Sequence, residues 1–482
     1  MIVPVAGVVD ELRDRPDGGH SRYLWLAAMA GALGGLLFGY DWVVIGGAKP
    51  FYETYFHLDS PSLKGWAMSC AIVGCLVGAI IAGALSDRFG RKRLLTVAAL
   101  VFALTSVGTA LSTSFAAFIA WRMLGGCAIG LASGISPMYI AEISPARARG
   151  KLVSLNQLAI VFGILFAQVV NWQIARPVPA GSTAQEILAS WNGQAGWRWM
   201  FGVTAIPSLL FLICSFLVPE SPRWLAMKGR DGQALRVLER LNGHAIAKQV
   251  LAEFRITSSG GMRGELFREL HEPGVRKALL LGITLAVLQQ WCGINVIFNY
   301  AEEIFAGAGY HVSGILFNIV ITGVVNVVFT LIALATIDRY GRRILLLGGL
   351  GGLTLIHSIL AVLYHFHFQG KPMLLLVLAA IGCYSLTLAP ATWVVISEIF
   401  PNRIRGSAVS IAVAALWIAC FVLTYTFPLL NAALSTSGAF WTYAAICLAG
   451  LIVLYPRLPE TRGKTLEEIE GSLRSGPSLQ VR

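Results

Sequence analysis

Twelve separate stretches of this chain are apolar for about the twenty residues that a helix needs to cross a bilayer. They lie near 23–46, 65–86, 94–112, 116–141, 151–174 and 199–218, then 278–301, 313–337, 344–364, 373–397, 407–429 and 439–457. Only 13% of the residues are charged, where a soluble domain carries roughly 25%. A soluble fold is therefore excluded. Period-two alternation is missing, so the backbone must satisfy itself within helices and not in a barrel. The expected fold is an all-α membrane protein with twelve transmembrane helices.

Three charged motifs then divide the twelve into two sixes. Asp87-Arg88-Phe89-Gly90-Arg91-Lys92 returns as Asp338-Arg339-Tyr340-Gly341-Arg342-Arg343. Glu142-Ile143-Ser144-Pro145-Ala146-Arg147-Ala148-Arg149-Gly150 returns as Glu398-Ile399-Phe400-Pro401-Asn402-Arg403-Ile404-Arg405-Gly406. Pro219-Glu220-Ser221-Pro222-Arg223 is echoed by Pro459-Glu460-Thr461-Arg462-Gly463. The same order in both halves predicts two pseudo-symmetric six-helix bundles with a substrate site between them. The expected organisation is an N-terminal segment over 1–22, a first bundle over 23–218, a helical linker over 219–277, a second bundle over 278–457 and a tail over 458–482. Within the linker, 231–242, 245–255 and 264–271 read as short helices, whereas the 47–64 and 175–196 connections read as loops, the latter irregular.

The net charge of +12 could suggest nucleic acid, but its distribution points elsewhere. With both termini placed in the cytoplasm, only Lys49, Lys64, Arg176, Arg198 and Lys371 fall outside, and Arg122 falls within a span. Every other Lys and Arg faces inward, as the positive-inside rule requires. The expectation is a multi-pass protein of the plasma (inner) membrane, surrounded by lipid, with no nucleic-acid partner. The first residues are polar and are not a cleavable signal. All 8 cysteines lie within spans, without metal-ligand spacing, and read as packing residues. No metal or other cofactor is expected, and no nucleophile with a base suggests an enzyme.

Asp41 in the first span and Arg122 in the fourth are charges sunk well inside hydrocarbon, where each needs a partner or a task. They lie at similar depth, so they can pair. Arg keeps its proton under all relevant conditions, while a buried carboxylate can be neutralised. The pair is thus either a proton-operated switch or a static buried salt bridge. At the cytoplasmic rim, Asp87, Arg91, Glu142 and Arg149, with Asp338, Arg342, Glu398 and Arg405, can clip helices together, Gly90 and Gly341 allowing tight turns. Clips that form when that side closes would stabilise the outward-open state; otherwise the motifs are topology signals. A third, uncharged set comprises Gln289, Gln290, Asn295 and Asn299 of the seventh span, with Asn156, Gln157, Asn326 and Trp393. Amides donate and accept like sugar hydroxyls, although amides also glue membrane helices together. In a straight helix Gln290 and Asn295 would point about 140° apart, and Gly293 is where the helix can unwind to unite them.

From Gly34-Gly35-Leu36-Leu37-Phe38-Gly39-Tyr40-Asp41 to Pro459-Glu460-Thr461-Arg462-Gly463-Lys464-Thr465, the chain resembles the sugar porters of the major facilitator superfamily, most of all bacterial proton-coupled members. The motif Pro219-Glu220-Ser221-Pro222-Arg223-Trp224-Leu225 is specific to that family. The resemblance implies the major facilitator fold, functional as a monomer. It also implies sugar contacts at Gln157, Gln289, Gln290, Asn295, Asn326 and Trp393, a proton-coupling pair at Asp41 and Arg122, and a cytoplasmic gate that includes Glu220. Uniporting relatives carry Asn in place of Asp41, so the expectation is proton-driven uptake of a pentose or hexose. A facilitative uniporter and a sugar sensor are the alternatives. Four positions depart from the pattern: Ile164 and Leu416 stand where related symporters have Gln, Ala389 where Gly is usual, and Asn299 where Tyr is usual.

Overall fold

The computed structural model describes residues 18–145, 148–179, 182–258, 272–310, 312–400 and 405–462. The first half comprises α1 (Gly18–Tyr55), α2 (Pro61–Phe89), α3 (Arg91–Ala110), α4 (Phe115–Ile143), α5 (Arg149–Ile174), α6 (Ala184–Ala189), a π-helical turn (Asn192–Gly196), α7 (Trp197–Gly202) and α8 (Ala205–Leu217). Between the halves run α9 (Pro222–Met227), α10 (Asp231–Asn242) and α11 (His244–Ser258). The second half holds α12 (Pro273–Trp291), α13 (Ile294–Asn299), α14 (Ala301–Gly307), α15 (Val312–Tyr340), α16 (Arg342–His365), α17 (Lys371–Leu386), α18 (Leu388–Glu398) and α19 (Arg405–Leu454). Eleven helices of the described residues are long and apolar enough to cross a membrane, and one of them, Ser407–Leu454, has 48 residues. At about 1.5 Å per residue that is twice a bilayer's needs. Its path breaks at Ser435 (φ 61°, ψ 172°), which makes it two spans and the total twelve.

Local chemistry sets the helix ends. Ser60 accepts from the Leu63 amide ahead of α2, and Ser114 accepts from the Ala117 amide ahead of α4, supplying partners for otherwise orphaned donors. Two connections differ from expectation. The predicted 47–64 loop is shorter, because α1 continues to Tyr55, steadied by the Lys49–Glu53 pair one turn apart and by a bond from Thr54 Oγ1 to the Pro50 carbonyl. The 175–196 segment is partly regular. Thr183 and Glu186 form a reciprocal capping box for α6, and the Asn192 side chain holds both backbone groups of Arg176 at 2.8 Å.

Small residues make the closest crossings: a side chain on Gly126 would come within 1.9 Å of the Ala71 carbonyl. The halves meet along two seams, α2 on α19 and α5 on α15. These are spans 2 with 11 and 8 with 5, which exchange under the relation that duplicates the motifs. In the linker, α10 is the helix predicted over 231–242, and the one predicted over 264–271 lies outside the described residues. Trp224, Leu225, Ala234, Leu238, Ala247 and Leu251 give α9–α11 a small core of their own. The Arg240 guanidinium sits 3.9 Å from the Tyr23 ring, fastening that layer to α1.

Candidate functional site

Asp41 and Arg122 meet. Arg122 Nη1 donates to both carboxylate oxygens of Asp41 at 2.8 Å, with Asp41 9% and Arg122 4% exposed. The guanidinium lies 5.4 Å from the Phe201 ring. Behind it Tyr52 stacks on Phe118, which packs edge-on against Phe201. This apolar backing lowers the local dielectric on one side of the pair and strengthens the attraction, so that removing either partner strands a buried charge.

The seventh span is broken as Gly293 predicts. Gly293 takes φ 87°, a left-handed conformation open to residues without a Cβ, and separates α12 from α13. The break swings Asn295 onto Gln290, to which it hydrogen-bonds through Nδ2 and Oε1. Gln290 in turn reaches Gln289 at 3.5 Å, and Gln289 donates to the Ala389 carbonyl at 3.3 Å. His357 Nε2, 2.8 Å from the Cys292 carbonyl, must donate to it and so satisfies a group freed by the break. Asn326 accepts from Ser385 at 2.7 Å. Trp393 is 39% exposed and Gln157 half-buried, whereas Asn156 turns its Oδ1 against Gly35 of α1. Asn299 departs from the amide set: it lines a small cavity together with Asp41 and Arg122.

The duplicated motifs are built alike at one end of the bundle. In the first half Arg91 pairs with Glu142 at 2.9 Å and with Asp87 at 3.3 Å, while Glu220 accepts the backbone N–H groups of Arg91 and Lys92. In the second half Arg342 pairs with Glu398 at 3.4 Å, while Glu460 accepts the N–H groups of Arg342 and Arg343. Each glutamate thus caps a helix N-terminus, where negative charge is favoured. Gly90 and Gly341 turn with φ near 90°, and a side chain there would strike the capping carboxylates. Arg149 is exposed at the start of α5, and the side chains of Asp338 and Arg405 lie outside the described residues.

One cluster is not anticipated by the sequence reasoning. At the opposite end Lys49, 2% exposed, reaches Glu303 at 2.6 Å, Glu53 at 3.3 Å and Glu302 at 3.5 Å, and Lys64 approaches Glu53 at 3.5 Å. It is a clamp between halves: Lys49 and Glu53 belong to α1, Glu302 and Glu303 to α14. Ser62 and Tyr425 share a bond of 2.8 Å beside it, and the Tyr300 hydroxyl donates to the Thr424 carbonyl. The rim clips described above are formed at the same time as this clamp and, among the described residues, each recorded pair stays within one half. Their presence therefore does not by itself mark closure of the motif end. A second unanticipated feature is polar: Gln168 of α5 reaches Thr322 of α15 across the seam at 3.4 Å. Asn318, Thr322, Asn326 and Thr330 recur every fourth residue in an apolar span, a stripe that the sequence displays.

This arrangement can bind a neutral polyhydroxyl compound and hold or release one proton. The chain matches the protein family described as "Sugar (and other) transporter" over residues 27–473. It is 37% identical to the D-xylose-proton symporter of Escherichia coli K12, with 94% of this chain and 96% of that protein aligned. It is 37% identical to the arabinose-proton symporter of Bacillus subtilis 168, with 94% and 95% aligned. Among solved structures it is similar to the E. coli xylose transporter in a partially occluded inward-open conformation, with a TM-score of 0.81, 35% identity, and 92% of this chain and 100% of the other covered.

Proposed function

The chain belongs to the sugar transporter family of the major facilitator superfamily, and on that premise we propose that it is a proton-coupled symporter importing a pentose or hexose by alternating access. The observation that carries this reading is the buried, two-bonded pair of Asp41 and Arg122. Protonation of Asp41 removes the only charge opposing the guanidinium within that pair. Arg122 must then find other acceptors, which makes proton binding and helix arrangement one event. The relatives' coupling of xylose and arabinose to protons supports the same class of cargo.

In the cycle the motif end faces the cytoplasm and the Lys49 end faces outward, in the plasma (inner) membrane with both termini inside. The charge asymmetry of the connections supports that orientation. Sugar is held by Gln157, Gln289, Gln290, Asn295, Asn326 and Trp393, whose amides and ring suit hydroxyls and a C–H face. The bundles over 23–218 and 278–457 rock as units about the 219–277 linker, and a single chain suffices. The state described here has the outer clamp shut. Opening outward requires Lys49 to release Glu302 and Glu303, while the Arg91–Glu142 and Arg342–Glu398 ties keep each half rigid at the inner rim.

Sugar added outside cells or proteoliposomes should draw protons with it and alkalinise the medium. Sugar uptake without any pH change would mark a uniporter and overturn the proposal.

A further inference from the structure

Among the described residues no recorded hydrogen bond joins the Asn299 carboxamide to the sugar amides. Asn299 ends α13, whose other five residues bar Asn295 are apolar, and it is 4% exposed. Among the described residues its Oδ1 has no hydrogen-bond partner. A buried amide oxygen without a donor is costly, so its position calls for a donor that arrives at some stage. One stands close by. The small cavity that Asn299 lines is also lined by Asp41, Trp42, Cys75 and Arg122, and Arg122 Nε is likewise a buried donor without a partner. An unmatched acceptor of the second half and an unmatched donor of the first thus border the same space.

The chemistry of the remaining lining narrows the roles. The other lining side chains are apolar, apart from the thiol of Cys75 and the indole of Trp42, and Met68 sulfur already accepts from the Tyr52 hydroxyl. The charged or titratable groups that face the pair are Tyr40 on α1 itself, Cys70 and Cys75 on α2, and Tyr52 near Arg122. Thiols and phenols of ordinary acidity stay protonated near neutral pH, so none of them replaces an anion. Among the described residues that line this cavity, Asn299 carries the one strong uncharged acceptor, besides the neutralised Asp41 itself, that a guanidinium released from its carboxylate can reach.

We propose that Asn299 is the positioning residue that couples proton to sugar: when Asp41 takes up its proton, Arg122 transfers a hydrogen bond to the Asn299 carboxamide. The consequence runs along α13. Asn295, which holds Gln290, lies four residues before Asn299 on the same short helix, and the two share a face. The α1 backbone is also close, since a side chain on Gly46 would lie 3.1 Å from the Asn299 carbonyl. Drawing Asn299 towards Arg122 therefore seats the sugar-binding amide and closes α13 over α1 in one movement. By linkage, sugar must favour protonation by the same factor.

This inference rests on the symport reading, and its test separates the two. Affinity for D-xylose is measured against pH on the purified full chain, in the wild type and in Asn299→Leu and Asn299→Ser, with thermal melting as the check on folding. The wild type should bind more tightly as pH falls. Asn299→Leu should lose that acid-side gain by roughly ten- to a hundredfold, the worth of one charge-assisted hydrogen bond. Asn299→Ser, which keeps an acceptor, should retain part of it. A structural role alone would weaken both variants equally at every pH, and that result, or a Leu variant with the wild-type pH dependence, overturns the inference while leaving symport intact. A wild type whose affinity ignores pH and whose transport moves no protons overturns symport itself, and the coupling role with it.

Discussion

At Asp41 the exchange of one carboxylate oxygen for an amide nitrogen separates two behaviours. Asp41→Asn keeps an acceptor for Arg122 but can take up no proton. Accumulation of sugar against its gradient should vanish while sugar-for-sugar exchange continues, as read by counterflow in proteoliposomes; undiminished accumulation would exclude the proton role. At Gln290 the expected change is in binding. Its Oε1 accepts from Asn295, so Gln290→Ala removes both a sugar partner and the tie that orders Asn295. A lost buried hydrogen bond of about 1–3 kcal/mol corresponds to roughly five- to a hundredfold weaker sugar affinity by calorimetry. Unaltered affinity would take the seventh span out of the site.

Two elements set what these residues can do, the break between α12 and α13 and the clamp at Lys49. Gly293→Ala places a Cβ 2.9 Å from the Tyr443 ring in a left-handed backbone. The strain should cost about 1–2 kcal/mol, lower the melting temperature and weaken sugar binding together; a variant with wild-type melting and affinity would show that the break is not needed. The clamp has a different signature. Lys49→Met leaves three carboxylates facing one another, so the outer end should part. Spin labels at Asp59 and Gln369, exposed on opposite halves at that end, should report a longer mean distance. Adding Glu303→Leu should restore part of the closure, because the closest of the stranded charges is then gone. No change in distance for Lys49→Met would remove the clamp from the gate.

The architecture of the whole molecule was written in periodic, local signals, and those were legible: the apolar runs, the duplicated rim motifs, and Gly293 as the point where the seventh span unwinds. The pairing of Asp41 with Arg122 was legible because two charges at one depth in hydrocarbon have few alternatives. What lay hidden depends on distant partners. Lys49 reads as an exception to the charge rule until folding brings Glu303, 254 residues away, to its ammonium group. The break at Ser435, by contrast, falls in the polar stretch Ser435-Thr436-Ser437-Gly438 between the spans read over 407–429 and 439–457, and was legible although the helix otherwise runs on through it. Asn299 reads as one more amide beside Asn295, and only the packing of α13 on α1 shows it beside a charge pair. The same packing of α13 and α14 on α1 brings the Asp41–Arg122 pair, the broken span and the outer clamp to one contact between halves, which is why the proposed cycle moves them together. The deciding measurement is the pH inside proteoliposomes holding the wild-type chain, recorded as D-xylose is added outside with no imposed gradient. The lumen should acidify in step with sugar uptake, and Asp41→Asn should abolish the acidification. Wild-type vesicles that fill with sugar at constant internal pH would contradict proton-driven transport.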